Sequence, residues 1–596
     1  MKKILALLVA IMMLAAMALP VMAETVDYDN KVSVTALAEG DVAHFYKIVE
    51  WVGEAEGNVK GWKVVSPFSF DLNAVLVGTP ADNEAVPPVA AVPATGITAA
   101  LANTLASTAG KTEAGYDTVG DDGIAELDVT ATGRGAGIYM VMITPADPDV
   151  VYNPVFVSSD YNTTADPNSN TWAINEQASY SNTAAAKKST TTLTKNASTD
   201  EAFPDDVKWI TTAIGDTVHF TVTTTIPGFG PAFIDPFFKM TDKLTDLTLV
   251  AGSVEVKSPA AAAAAAHIVE GTTQYSIDWN TEDGKAYLAT VATPTLVTVE
   301  YDAIVATTAP KNINREKNEV WTEFSHDINN ANDHSFKKDD TVHYTFTIDA
   351  NVIAGKEGQE GVRGSEIVKV GRKANGEPIN QTTEYSSITT TNSWEGPQAD
   401  AHFKLYRAAD CAPASEYIPN GASKGLDITT GTDGRMTIAG LDAGEYWLKE
   451  ESCPAGFIKD THVAHIVIST KESDKTVTEY TTDGTTWISQ DAYNALADKT
   501  GYKSYTYTVP TLDSYTITIN DVVASHYVFE NKGSEIETKW TDNGITELPH
   551  QFVNNEGLEL PSTGGMGTTI LYIGGSILVL AAVILLVTKR RMKVED

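Results

Sequence analysis

The chain has 596 residues, 42 Lys+Arg against 78 Asp+Glu for a formal net charge of -36, and 43% hydrophobic residues with 8% aromatics. That is a composition for several globular domains, and an acidic excess of this size repels phosphate backbones and excludes nucleic-acid binding as the main task. Two cysteines exclude a disulfide scaffold, so the domains rest on ordinary cores or on another covalent device.

In chain order, Lys2-Lys3 opens an apolar run from Ile4 to Leu19, followed by Pro20-Val21-Met22-Ala23 and Glu24. A basic start, a run too short to span a bilayer and small residues at its end predict a secretory signal peptide over 1–23, cleaved after Ala23. Beyond it, short runs of Val, Ile, Thr and Tyr alternate with Gly, Asn, Asp and Pro clusters, as in Thr217-Val218-His219-Phe220-Thr221-Val222 and Tyr505-Thr506-Tyr507-Thr508-Val509. Period-2 segments bounded by turn residues predict an all-β chain of sandwich domains. Helical patterning is sparse. The alanine tract from Ala260 to Ala266, after Pro259, is read as a loop insertion, with a helical turn or two as the alternative.

Connectors near Ala184 and Lys338 interrupt the strand pattern and predict modules over 24–184, 185–338 and 339–557. At the far end Leu560-Pro561-Ser562-Thr563-Gly564 precedes an apolar stretch over 568–587 and a basic tail over 588–596 with Lys589, Arg590, Arg591 and Lys593. Some twenty residues at about 1.5 Å each reach roughly 30 Å, enough to cross the hydrocarbon core, and the basic tail holds the C-terminus in the cytoplasm.

Pentapeptide, span and tail in that order resemble the cell-wall sorting signal of Gram-positive surface proteins. The resemblance implies that sortase, a membrane transpeptidase, cuts between Thr563 and Gly564, holds Thr563 as an acyl-enzyme on its cysteine and passes it to an amine.

In the third module Tyr446-Trp447-Leu448-Lys449-Glu450 runs into Glu451-Ser452-Cys453-Pro454-Ala455-Gly456-Phe457. This resembles the E-box of Gram-positive pilins and collagen-adhesin B-type domains, and Ala401-His402-Phe403-Lys404-Leu405-Tyr406 resembles the opening strand of the same domain. The family is identified as that of sortase-assembled pilins. It implies tandem immunoglobulin-like sandwiches of the collagen-adhesin A and B types, in which the E-box glutamate promotes an intramolecular Lys–Asn isopeptide bond. The chemistry demands a neutral amine and a protonated carboxyl, so both groups must be displaced from their ordinary pKa values by apolar burial. A strand alternating Tyr446, Leu448 and Glu450 sets the carboxyl on one face with two large side chains.

For the third module the resemblance points to Lys369 and Asn554, with Asn531 as the rival acceptor; a long insertion between the strand of Lys369 and Phe403 departs from the usual pattern. The second module resembles the A-type relative, in which an aspartate replaces the glutamate, and the corresponding residues are Lys195, Asp242 and Asn318. Cys411 and Cys453, both in the third module, are expected to pair as a disulfide.

Backbone pilins accept the next subunit on a lysine in a Y-P-K-N motif between the first two modules. Here Tyr180-Ser181-Asn182-Thr183 occupies that place without the lysine, and Lys187 and Lys188 follow. Two functions are therefore expected. The first is a structural shaft subunit of a covalently polymerised pilus, with class C and housekeeping sortases, other pilin subunits and peptidoglycan as partners. The alternative is a wall-anchored adhesin or tip or basal pilin displaying a site for a host ligand. A secreted hydrolase finds no G-x-S-x-G, H-E-x-x-H or free Cys–His pair to support it, and neither cofactor nor metal is expected.

Overall fold

The computed structural model describes residues 31–52, 61–72, 97–159, 182–199, 207–307, 316–348, 366–372, 395–432, 434–484, 486–532, 535–540, 550–557 and 566–592. The expected signal peptide, the sorting motif Leu560 to Gly564 and Tyr180-Ser181 lie outside these residues.

The first module is built on one strand with two cores. Gly137–Thr144 reads Gly-Ile-Tyr-Met-Val-Met-Ile-Thr and is buried on both faces. Tyr139, Val141 and Ile143 point into a cluster with Val32, Val34, Phe45 and Tyr152, whereas Ile138, Met140 and Met142 join a cluster continuous with the second module. This double burial explains why the strand is an unbroken apolar run. It lies between Val42–Val52 and Val155–Ser159 in one sheet, while Lys31–Thr35 pairs with Ala125–Asp128 and Thr183–Ala185 in the other.

The second module is a sandwich. One sheet orders Leu193–Ser198, Thr217–Ile226, Thr295–Val305 and Leu247–Leu249; the facing sheet orders Trp209–Thr211, His334–Tyr344, Glu316–Ser325, Phe238–Leu244, Gln274–Asp278 and His267–Glu270. Thr217–Ile226 alternates without a fault, burying Val218, Phe220, Val222, Thr224 and Ile226. The alanine tract, expected as a loop insertion, is a short helix at Ala260–Ala265. Alanine's helix propensity and the burial of Ala262, whose carbonyl accepts from Trp279 Nε1 at 2.9 Å, hold it there.

In the third module Ile367–Arg372 runs parallel to the last strand, His550–Glu556, the pair flanked by Glu395–Pro397 and Phe457–Ile458, while Phe346–Ile348, earlier in the chain, pairs with Ile438–Leu441. The other sheet carries His402–Tyr406, Gly444–Ser452, Val463–Thr481, Lys503–Ile519 and Val522–Lys532 in that order. Val463–Thr481 and Lys503–Ile519 pair far beyond the core, past an irregularity at Lys471/Glu472. This arm meets the second module, where Lys338 is buried between Glu319 at 2.8 Å and Glu479 at 2.5 Å and stacks over Trp487.

The strand pairing supports module junctions a few residues beyond the expected cuts. Lys188–Thr190 pairs with Val150–Tyr152 of the first module. The expected cut at 338 falls inside His334–Tyr344, paired along its length with Glu316–Ser325. The charges of Lys337-Lys338-Asp339-Asp340 resemble a solvated linker, yet Lys337 pairs with Asp149 of the first module and Lys338 with the arm of the third.

The chain closes with the helix Met566–Met592, whose Tyr572–Arg591 stretch has mean hydropathy 2.1 and is long enough to cross a membrane.

Candidate functional site

Two interior sites hold a lysine, an acid and an asparagine, each reaching between strands that alternation aims inward. In the second module Lys195 projects from Leu193–Ser198, Asp242 from Phe238–Leu244 in the facing sheet and Asn318 from the neighbouring strand, where it is registered with Leu244. All three are fully buried. Lys195 Nζ donates to both Asp242 oxygens, at 2.7 and 2.6 Å. The rings of Phe220 and Tyr301 lie 5.2 and 5.4 Å from the ammonium.

Burial is the largest influence on both ionisable groups. It lowers the Lys195 amine to about 8, against the pull of Asp242 in the other direction, and it raises the Asp242 carboxyl. Tyr275 and Tyr301 donate to Asp242 Oδ2 at 3.3 and 3.1 Å, and the Tyr301 oxygen accepts from Asn318 Nδ2 at 2.7 Å. Asn318 thus meets the Lys195–Asp242 pair through the Tyr301 hydroxyl. The main chain of Lys195 is held as well: its N–H donates to Asp339 Oδ2 at 2.6 Å, and its carbonyl accepts from Lys208 Nζ at 2.6 Å.

In the third module Gly444–Ser452 buries Tyr446, Leu448 and Glu450 on one face, the alternation expected of it. Lys369, Glu450 and Asn554 are fully buried and in mutual contact. Lys369 Nζ lies 2.6 Å from Asn554 Oδ1 and 3.2 Å from Glu450 Oε2, and Asn554 Nδ2 donates to Glu450 Oε1 at 2.9 Å. Burial lowers the Lys369 amine, opposed by Glu450. The parallel register pairs Lys369 with Phe552 and Gly371 with Asn554, so Lys369 and Asn554 come from one parallel pair of strands far apart in the chain. Asn531, the rival acceptor, lies on Val522–Lys532, and its side chain is outside the described residues.

A fourth participant has no counterpart in the sequence reading. The N–H of Asp460 donates to Glu450 Oε2 at 2.8 Å and to Asn554 Oδ1 at 3.1 Å. Burial pushes the Asp460 carboxyl up, but hydrogen bonds from His462 and from the Val553 N–H outweigh it and hold the group at about 2.

Lys187 and Lys188 are both exposed at the end of the first module, Lys188 opening the strand Lys188–Thr190. Lys187 lies in the two-residue link between Thr183–Ala185 and Lys188–Thr190, and Lys188 stands on the latter strand, opposite Tyr152. The expected disulfide is not formed in the structure: Cys411 and Cys453 are thiols, Cys411 buried and Cys453 Sγ 3.2 Å from the Phe457 carbonyl. The register explains it. Cys453 follows Ser452, the partner of His402, whereas Cys411 lies beyond Tyr406 at the other end of the same strand pair, in a turn that gives it φ 47°.

Two stretches of the chain match known family models. Residues 385–483 match the SpaA prealbumin-like fold domain, and residues 553–594 match the LPXTG cell wall anchor motif. Together they define a cell-wall-anchored surface protein of Gram-positive bacteria built from tandem β domains. More particularly, the chain is 23% identical over 488 residues, 78% of its own length and 80% of the other's, to the trypsin-resistant surface T6 protein of Streptococcus pyogenes serotype M6. Among solved structures it is similar to the T6 backbone pilin of serotype M6 Streptococcus pyogenes, at 18% identity over 89% of this chain and 98% of that one with a TM-score of 0.48. It is also similar to the major pilin SpaA of Corynebacterium diphtheriae, at 15% identity over 74% and 95% with a TM-score of 0.36.

Proposed function

We propose that this protein is the shaft subunit of a sortase-assembled pilus, stiffened by isopeptide bonds between Lys195 and Asn318 and between Lys369 and Asn554. The observation that carries the reading is that one chain holds both halves of a subunit linkage. It ends in an acyl donor, Thr563 of the sorting motif, and exposes two amines, Lys187 and Lys188, where the first module meets the second.

A polymerising sortase of class C breaks the Thr563–Gly564 bond and holds the Thr563 carbonyl as a thioester. A neutral amine of Lys187 or Lys188 on the next subunit attacks that carbonyl, the enzyme thiol leaves, and an amide joins the two chains. Transfer to a peptidoglycan amine by a housekeeping sortase ends the fibre on the wall. Both lysines are accessible for this, unlike Lys195 and Lys369, which are sealed between sheets. Inside each module the buried amine attacks the asparagine carboxamide and ammonia leaves, with Asp242 or Glu450 handling the protons.

The test is the double variant Lys187→Arg with Lys188→Arg in the native host. Arginine keeps the charge but is too basic to supply a neutral nucleophile. The expected result is loss of the high-mass covalent ladder with wall-anchored monomer retained, and a Thr563 cross-link to one of the two lysines in wild-type polymer. Undiminished polymers refute the acceptor assignment, and a wild type without polymers favours the anchored adhesin.

A further inference from the structure

We infer that the main-chain N–H of Asp460 is an oxyanion donor for isopeptide formation in the third module, and that it turns Glu450 into a proton shuttle on the leaving-group side. The inference rests on the isopeptide reading above and concerns how that bond forms.

The orientation of Asn554 carries it. Oxygen and nitrogen of a side-chain amide are told apart by their partners. A main-chain N–H can only donate, and the Asp460 N–H points at one terminal atom of Asn554 from 3.1 Å, beside the Lys369 amine at 2.6 Å. An amide nitrogen cannot accept from either, so that atom is the carbonyl oxygen. The other terminus, Nδ2, then faces Glu450 Oε1 at 2.9 Å. Glu450 therefore touches the nucleophile and the departing nitrogen, while the oxygen that gathers charge is served from the backbone.

Asp460 is fixed for this role. Its Oδ1 accepts from the His462 N–H at 3.0 Å, which closes a turn, and its Oδ2 accepts from the Val553 N–H at 3.0 Å. Val553 immediately precedes Asn554, so the loop is fastened to the acceptor strand one residue from the reacting carbon. The second module differs: Asn318 is reached by the Tyr301 hydroxyl, and its buried Oδ1 has no partner among the described residues.

The steps balance as follows. Glu450 takes a proton from the Lys369 ammonium. The neutral amine attacks Asn554 Cγ, forming the C–N bond and moving the carbonyl electrons onto Oδ1, where the Asp460 N–H stabilises them. Glu450 returns its proton to Nδ2, the Cγ–Nδ2 bond breaks, ammonia leaves, and Glu450 removes the surplus proton from the new amide nitrogen as the carbonyl re-forms. No oxidant or co-reactant is consumed.

The experiment follows ammonia loss by time-resolved mass spectrometry of the mature chain, Glu24 to Thr563, made by cell-free synthesis, with peptide mapping to assign each cross-link. Asp460→Pro deletes the N–H and should slow the Lys369–Asn554 bond about 100-fold, the effect of losing one oxyanion donor, with the Lys195–Asn318 bond at its wild-type rate. Asp460→Asn, which keeps the N–H and a side-chain acceptor, should close near the wild-type rate. Glu450→Gln separates the two roles of the acid, because glutamine donates a hydrogen bond but shuttles no proton, and it should not close. Closure of either Asp460→Pro or Glu450→Gln at the wild-type rate overturns the inference, and the glutamine arm decides if proline unfolds the module. A wild type that loses no ammonia from the third module refutes the isopeptide reading instead.

Discussion

Replacing Asn554 with alanine removes the acceptor carboxamide and leaves Lys369 and Glu450 in place but unlinked, so it deletes the covalent bond while keeping both side chains beside it. Lys369 and Asn554 are 185 residues apart in the chain. A cross-link closing a loop of that length removes unfolded-state entropy equivalent to about 5 kcal/mol at 25 °C in the chain-entropy model. For a module of this size that converts to a fall in the midpoint of thermal unfolding of roughly 10–20 °C. The assay is differential scanning calorimetry of wild type and Asn554→Ala, with intact mass measured on the same samples. Wild type should be lighter than its sequence by one ammonia for each of the two bonds, and Asn554→Ala should lack only the loss from the third module. Trypsin should then cut the variant between residues 370 and 553 under conditions that spare the wild type. An unchanged transition in a variant shown by mass to lack the bond would refute the claim that the cross-link stabilises this module.

The second module offers a pH test in Asn318→Ala, which cannot close. Folded Lys195 loses its proton at about 8, whereas the unfolded chain keeps it to about 10.5, so unfolding takes up a proton between these values and stability should rise with pH across that window; urea midpoints that stay flat or fall from pH 8 to 10 would contradict the buried-amine geometry. Replacing Leu560 to Gly564 with alanines should leave the protein in the membrane fraction, held by Met566–Met592; recovery from the wall fraction would refute the sorting assignment.

Much of the third module's site is legible before any coordinates. Tyr446, Leu448 and Glu450 alternate, and alternation in a strand dictates a shared face, which is where they lie. Lys195, Asp242 and Asn318 are different, because an aspartate before a lysine reads as a turn and only family resemblance singles them out. Asp460 is invisible for a physical reason: it acts through its main-chain N–H, which every residue but proline possesses. Tyr275 and Tyr301 are hidden by their ordinary appearance in strands, where a tyrosine signals packing whether or not its hydroxyl meets a buried acid. The strand through Lys338 is hidden for the opposite reason. Four consecutive charges suggest solvent, but Lys337 meets Asp149 of the first module, and Lys338 meets Glu479 of the third as well as Glu319 of its own.

The parallel pairing of Ile367–Arg372 with His550–Glu556 in the third module has a mechanical meaning. In a fibre joined from Thr563 of one subunit to Lys187 or Lys188 of the next, with both proposed isopeptides closed, tension enters near the C-terminal strand, crosses the 554–369 amide and leaves toward the second module. There it crosses from residue 318 to residue 195 and exits at the acceptor lysine. Everything between 370 and 553, the long arm included, is bypassed, as is everything between 196 and 317. Residues of the first module before the acceptor lysine lie outside the covalent path of the load, a pendant on each link of the chain held to it by the pairing of Lys188–Thr190 with Val150–Tyr152, so its surface can diversify or its loops can be cut without parting the fibre.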